Sequence, residues 1–225
     1  MPRKPVQQRS LATVDAILEA GFVCVARHGV ANTTTRKIAQ VAGIGVGSLY
    51  EYFANKEEVF DAMNRRFVDD VVEFIREITP ELLELELQPA LELLFRRFGD
   101  FLTRDDERYL KVAPEVVQTD TKGYVEPVSK ALLELMMQYV LKHPELMRMP
   151  DLQTTAYVLI NAGIFTVLRH LSSESPPITF EQLSAGLATL VSSYAEHTLG
   201  HCGSRKPRPR RPLRTPRRKT PTSPT

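Results

Sequence analysis

Apolar positions recur at intervals of three and four along almost the whole chain, the period of a helix packed on one side. Leu11, Val14, Leu18, Phe22 and Val25 make the first such stripe, and His28-Gly29 is expected to end that helix, because glycine takes the left-handed turn that closes helices. Further helices are predicted over 35–42, 46–53 and 56–78. The last has a marked start: Asn55 is placed to cap it, and Glu58, three residues on, to complete a capping box. Pro80 is expected to close it. Beyond it the pattern predicts helices over 89–103, 105–118, 122–142, 152–172 and 180–199, punctuated by Pro89, Pro144, Pro150 and the Pro176-Pro177 pair. The acidic run Asp105-Asp106-Glu107 reads as a helix start, where carboxylates suit the dipole. Thr179 with Gln182 repeats the capping box. No segment has the two-residue alternation of a strand and no internal repeat is visible. The expected fold class is therefore all-α.

After Leu199 the pattern stops. Residues 203–225 are rich in Pro, Arg and Thr and nearly devoid of apolar side chains, so this tail is expected to stay disordered. The 225 residues otherwise have the 43% hydrophobic content of a globular protein. No apolar run is long enough to span a bilayer, no signal peptide is recognised, and the two cysteines, Cys24 and Cys202, are no disulfide framework. A reducing cytoplasm suits such a chain.

Charge divides the chain further. Residues 1–56 hold seven basic and three acidic side chains, a net of +4, and residues 205–225 hold nine basic and no acidic ones. The stretch between carries a net of −11. Basic ends around an acidic body fit a polyanionic partner at the ends. Solvated faces and a solubilising or membrane-surface tail fit the same charges.

The informative segment is 33–56, TTTRKIAQVAGIGVGSLYEYFANK, which reads as helix, tight turn, helix. Ile38, Ala39 and Ala42 give the first helix an inward face, Gly43 permits the sharp turn, Ile44 plugs the angle, and Leu49 and Phe53 seat the second helix on the same core. Val46 lies near that face and is shared between core and surface. Residues 47, 48, 50, 51 and 54 are left pointing outward. A helix of this length fits the DNA major groove by its amino end, which also offers free N–H groups to phosphate. Gly45 and Gly47 allow close backbone approach there. Thr34 and Thr35 open the preceding helix and Lys56 the following one, all within reach of the phosphate chain. A helical hairpin that merely packs has the same outline.

The full string resembles the amino-terminal domain of the TetR (tetracycline-repressor) family. The resemblance rests on the glycine-ended first helix, Thr34-Thr35, Ile38-Ala39, Ala42-Gly43-Ile44, Leu49-Tyr50, Tyr52-Phe53 and Asn55-Lys56-Glu57, and covers roughly residues 9–69. It implies a three-helix helix-turn-helix domain over 9–69, joined through the long fourth helix to a helical effector-binding and dimerisation domain over 70–202. It further implies a ligand-responsive dimeric regulator, most simply a repressor released from a palindromic double-stranded operator by a small effector. Thr35 and Arg36 would then contact phosphate or groove edges, and Val46, Gly47 and Ser48 would lie at the groove end of the recognition helix. Tyr50 and Tyr52 would bond phosphate, or Tyr50 a base, and Lys56 would bind phosphate. Many members have Ser or Thr where this chain has Gly45, and a longer polar residue near Val46 or Gly47. With few base-edge hydrogen bonds on offer, shape and deformability readout should weigh more than usual, and Val46 offers an apolar contact such as a thymine methyl. Glu51 either accepts from a cytosine amine or turns aside.

The resemblance also implies that the helices over about 152–171 and 180–199 form a four-helix bundle with a second copy, for which Ala162, Gly163, Ala185, Gly186 and Ala188 permit close approach. An internal core is the plainer reading of these residues. A ligand pocket among the middle helices would draw on Met63, Phe67, Phe95, Phe98 and Phe101, together with Tyr109, Met136, Met137 and Phe165. Such a lining suits a lipophilic or aromatic effector, and plain core packing explains the same residues. A regulator that binds DNA without an effector is the alternative. His197, His201 and Cys202 have metal-ligand spacing but lack a supporting cluster, and Cys24 reads as structural. No cofactor, metal or catalytic constellation is expected, so the chain does not read as an enzyme.

Overall fold

The structure is a computed structural model that describes residues 8–118, 123–173 and 175–202. The basic tail 203–225 lies outside the described residues, as do the side chains of Asp105, Asp106, Glu107, His201 and Cys202. Among the described residues all regular structure is helical, and no helix is long and apolar enough to cross a membrane.

The helix α1 (Gln8–Asn32) is interrupted at Gly29, whose φ of 72° and ψ of 166° suit glycine, so the expected break falls there and one more turn follows it. Leu11, the first residue of the predicted stripe, is exposed, and the fully buried face of α1 begins at Ile17. Next come α2 (Thr35–Val41) and α3 (Val46–Tyr52). Thr34 Oγ1 caps α2 by accepting from Lys37 N at 3.3 Å. Gly43 takes a φ of 69° between the two helices, and Ile44 N donates back to Ala39 O at 3.0 Å. Then α4 (Lys56–Leu82) starts with Asn55 Oδ1 accepting from Glu58 N at 2.8 Å. The Glu58 carboxylate in turn accepts from Ala54 N, one residue before the position a capping box uses.

Two predicted boundaries are corrected. Pro80 does not close α4, which runs on to Leu82. A proline deprives the carbonyl four residues back of its partner, but here that residue, Arg76, stands in solvent. The last turn is held by buried Leu82 and by Thr79, whose hydroxyl donates to Ile75 O at 2.6 Å. The helices predicted over 89–103 and 105–118 are one helix, α5 (Leu87–Gln118). No glycine or proline falls between residues 100 and 113, and buried Leu102, Tyr109, Val112 and Ala113 carry one stripe across the supposed gap.

The remainder follows the expected order: α6 (Val125–Lys142), a short 3-10 helix (Pro144–Arg148), α7 (Leu152–Leu171) and α8 (Phe180–Cys202). The capping box before α8 is reciprocal, with Thr179 N donating to Gln182 Oε1 at 2.9 Å and Gln182 N to Thr179 Oγ1 at 3.1 Å.

One hydrophobic core runs through the described helices. Around α1–α3 it contains Ile17, Phe22, Ile38, Ala39 and Leu49, all at or near zero exposure. The helix α4 then changes partners along its length without a break at residues 69–70. Its Met63 lies under Gly21 of α1, where a Cβ would come within 2.5 Å of the sulfur. One turn on, the Phe67 ring meets Phe101 and Tyr109 of α5 at 6.4 and 5.3 Å. Tyr109 also takes the edge of Phe22 from α1 at 5.4 Å, so the small amino-terminal unit is seated directly on α5.

Candidate nucleic-acid interface

The face opposite that core is formed by α2 and α3. Leu49 and Phe53 anchor α3 inward, which leaves Gly47, Ser48, Tyr50 and Glu51 fully on the outer side with Ala54 just beyond. Val46, predicted as shared, is 37% exposed and opens the same face. Gly45 caps α3 in extended conformation without a side-chain hydrogen bond, so the first amides of α3 are not met by a cap of its own. A Cβ on Gly45 would meet nothing closer than Ser48 Oγ at 3.9 Å, and one on Gly47 would meet nothing within 4 Å. Packing within the chain therefore does not require glycine at either place.

The predicted contact residues divide into free and engaged groups. Thr34 is exposed but spends its oxygen on the α2 cap, and Arg36 is exposed beside it. Thr35 Oγ1 and Tyr50 Oη lie 3.1 Å apart, tying the start of α2 to the middle of α3. Tyr52 is half-buried on the core with its hydroxyl 3.3 Å from Ser10 Oγ, and so faces the start of α1 rather than the α3 surface. Lys56 Nζ donates to Val30 O at 3.1 Å and lies 5.0 Å from the Phe60 ring centre. Two more lysines do the same nearby: Lys37 Nζ on Asn32 O at 2.9 Å and Lys111 Nζ on Ala26 O at 2.8 Å. Three ammonium groups thus gather at the carbonyl-rich end of α1, where the helix dipole favours cations. The sequence named only Lys56 of these, since a lysine carries no periodic signal of its own. Cys24 is buried in this unit, and burial pushes its thiol above the ordinary range, in keeping with a structural cysteine.

Polar links run from this unit to the body. Arg66 on α4 reaches Asp15 of α1 and Asp70 of α4, each at 3.2 Å. Asp70 also accepts from Tyr109 of α5 at 2.5 Å. Burial works against the Arg66 charge, but Asp70 and then Asp15 outweigh it and hold the guanidinium above its ordinary pKa. Farther toward the amino end of α4, Tyr124 at the start of α6 donates to Asp61, which also pairs with Arg65. Burial first, and Asp61 second, push the Tyr124 phenol up to about 12.

The residues proposed as a pocket lining take three kinds of place. Met63, Phe67, Phe101 and Tyr109 are buried core, with Phe98 stacked on Phe101 at 6.0 Å. Phe95 and Met136 are half-buried. Met137 and Phe165 are exposed, at 58% and 47%. None of the nine lines the cleft formed by the start of α5, the end of α6, the 3-10 helix and the end of α8. On α7 and α8, Tyr157, Val158, Phe165, Leu190 and Tyr194 stand in solvent, and a Cβ at Gly163 or Gly186 would meet nothing. Ala188 faces inward instead and is fully buried.

Comparison with known proteins bears on the same segment. The family model described as bacterial regulatory proteins, tetR family, matches residues 17–63. The HTH-type transcriptional repressor KstR2 of Rhodococcus jostii is 40% identical over 68 residues, which are 30% of this chain and 33% of that one. KstR2 of Mycobacterium tuberculosis is 47% identical over 53 residues, 24% of this chain and 26% of the relative. The matches thus span about a third or less of the relatives' length. Among solved structures, the fatty acid degradation regulator FadR from Bacillus halodurans superposes with a TM-score of 0.62 at 19% identity, covering 84% of this chain and 96% of that one, a likeness of fold.

Proposed function

We propose that this chain, a transcriptional regulator of the tetR family and not an enzyme, binds a palindromic operator as a two-fold dimer and represses transcription until a small effector releases it. The observation that carries the reading is the outer face of α2 and α3. The open amino end of α3, the exposed Val46 and Ser48, and the hydroxyl-linked Thr35 and Tyr50 stand together on one side of a well-packed unit. Major-groove reading needs that combination: a narrow helix end for the base edges and hydrogen-bonding groups beside it for the phosphates. Gly45 and Gly47, which packing does not require, let DNA come close. Lys56 and Lys37 have ammonium protons beyond the one each gives to a carbonyl, and these suit phosphate. The exposed apolar side chains of α7 and α8 support pairing of two copies, which would set the two α3 helices about a helical turn of DNA apart.

The test is a mobility-shift titration with DNA from upstream of the chain's own gene. Tyr50→Ala combined with Lys56→Ala should weaken binding roughly 10- to 100-fold, the scale of one or two charge-assisted hydrogen bonds. Unchanged affinity at physiological salt would overturn the reading. A second reading is a regulator that binds DNA without an effector. It is favoured by the close ring packing of Phe67, Phe101 and Tyr109, three of the side chains expected to line a pocket. A shift that no compound relieves would support it.

A further inference from the structure

At the end of the body away from α3, the start of α5, the end of α6, the 3-10 helix and the end of α8 line a half-open cleft of about 420 Å³. That is within the range of sites that hold small organic molecules. Its walls have a definite chemistry. Glu86 immediately precedes α5, Glu145 lies in the 3-10 helix with its carboxylate 3.6 Å from His143 Nδ1, and Glu196 lies on α8; no lysine or arginine lines the cleft. The three carboxylates stand exposed at the rim of the cleft, and no group of three or more His, Cys, Asp or Glu among the described residues could hold a metal ion. Between them stand the rings of Tyr139 and His143, stacked 4.2 Å apart at 19°, with Leu146 and Leu199 adding apolar surface. The stack is fixed from outside: Tyr139 Oη donates to Leu85 O at 2.7 Å, and His143 Nε2–H donates to Leu83 O at 3.2 Å. The start of α5 would favour an anion, but Glu86 already occupies it.

We propose that this cleft binds a lipophilic organic cation, an amine or quaternary ammonium of aromatic or branched aliphatic body. Carboxylates along the rim, aromatic faces and an apolar floor are complementary to a bulky, weakly hydrated cation. They suit neither a small metal ion nor an anion. Burial, followed by Glu86 and Glu145, pushes the Tyr139 phenol up to about 12, which agrees with a negative local potential. The site lies outside the set of side chains first considered for an effector. It deepens the effector reading by giving it a place and a chemistry. It rests on that reading only for its consequence at the operator.

The experiment is calorimetric titration of the full chain, without DNA, with benzyltrimethylammonium. 2-Phenylethanol and 3-phenylpropionate serve as neutral and anionic controls. The cation should bind once per chain, about ten-fold or more tighter than either control. Glu86→Gln, Glu145→Gln and Glu196→Gln together should weaken it by about ten-fold or more, with the circular dichroism spectrum unchanged. Should that triple variant fail to fold, Gln88→Lys sets a positive charge at an exposed lining position while keeping all three lining carboxylates, and it should weaken the cation in the same direction. No saturable binding of the cation, binding no tighter than 2-phenylethanol, or full affinity in the folded variant would overturn the proposal. None of these substitutions touches α2 or α3, so DNA binding by the same variants tests the operator reading separately.

Discussion

The amino-terminal unit and the body it sits on are stabilised differently. In α1–α3 the core is mostly aliphatic with Phe22 and Phe53 as its rings, two of the three helices are only seven residues long, and the outer face of α3 is exposed. Helices this short are marginal alone and depend on what they are packed against. The body has long helices and a run of rings in contact from Tyr109 through Phe101 and Phe98 to Phe180. The two meet at the edge contact of Phe22 with Tyr109 and along α4. The outer face of α2 and α3 can be left unpacked and glycine-rich where a neighbour supplies stability, and in that case what disturbs the neighbour is felt at that face.

The largest effect should come from emptying each core. Phe101→Ala removes a ring from the body and should cost about 3–5 kcal/mol, and Leu49→Ala about 2–5 kcal/mol. If the unit borrows its stability from the body, Phe101→Ala will abolish operator binding although the residue is remote from α3. Urea unfolding followed by circular dichroism and by DNA binding should give coincident transitions. Two separated transitions would break the dependence and make the unit an autonomous domain.

Glycine substitutions sharpen the contrast at lower cost. Gly43 holds a φ of 69°, so Gly43→Ala should destabilise by about 1–2 kcal/mol, the penalty of a left-handed L-residue. Gly47 lies in α3 with open space around it, and Gly47→Ala should stabilise the folded chain by up to about 1 kcal/mol through helix propensity. The same change should weaken operator binding if DNA approaches that backbone closely. A Gly47→Ala chain that melts higher and still binds DNA with full affinity would remove the argument from close approach.

The difference between the regions also sets what was legible in the sequence. Everything that defines α1–α3 is local: Gly43 between two apolar stripes, Leu49 four residues before Phe53, Asn55 before Glu58. Periodicity and capping express such features directly, and the outward set 47, 48, 50, 51 and 54 is exposed as expected. The body is assembled from distant residues. Arg66, Asp15 and Tyr109 come from three helices, and the distal cleft is lined by four elements. A lone Tyr or Glu on a helix face carries no sign of the partner it will meet. Aromatic residues at helical spacing could not be divided between core and pocket, and the structure packs most of them as core. Even the misplaced boundaries have local causes, Pro80 and the acidic run, whose preferences were outweighed by burial of Leu82 and Tyr109.

A smaller effect is expected at the polar chain from Tyr109 through Asp70 and Arg66 to Asp15. Arg66 is substantially exposed, so each ion pair should contribute only about 0.2–1 kcal/mol. The informative quantity is coupling. In a double-mutant cycle, Tyr109→Phe and Asp15→Asn should be non-additive by about 0.5 kcal/mol or more if the chain carries strain from α5 to α1. It should also change the effector concentration needed for release more than it changes operator affinity. Strict additivity in both readouts would reduce the chain to separate surface contacts.

The smallest effect is invisible at neutral pH. Tyr124 ties α6 to Asp61 on α4, and its phenol sits at about 12 in the folded chain against an ordinary 10. The proton is thus held more tightly in the folded state. The bond's contribution is fully present below pH 10 and is lost as pH rises from 10 toward 12, where the unfolded chain ionises first. Melting temperature should therefore fall across that window, and the fall should be shallower in Tyr124→Phe. Tyr139 is raised as far by burial and carboxylates at the distal cleft, so part of the decline should persist in that variant and shrink again in Tyr124→Phe/Tyr139→Phe. A phenol absorbance titration of the folded protein gives the independent check. If both phenols ionise near pH 10, the carboxylate at α4 is not holding Tyr124, and α6 must be fixed to α4 by packing alone.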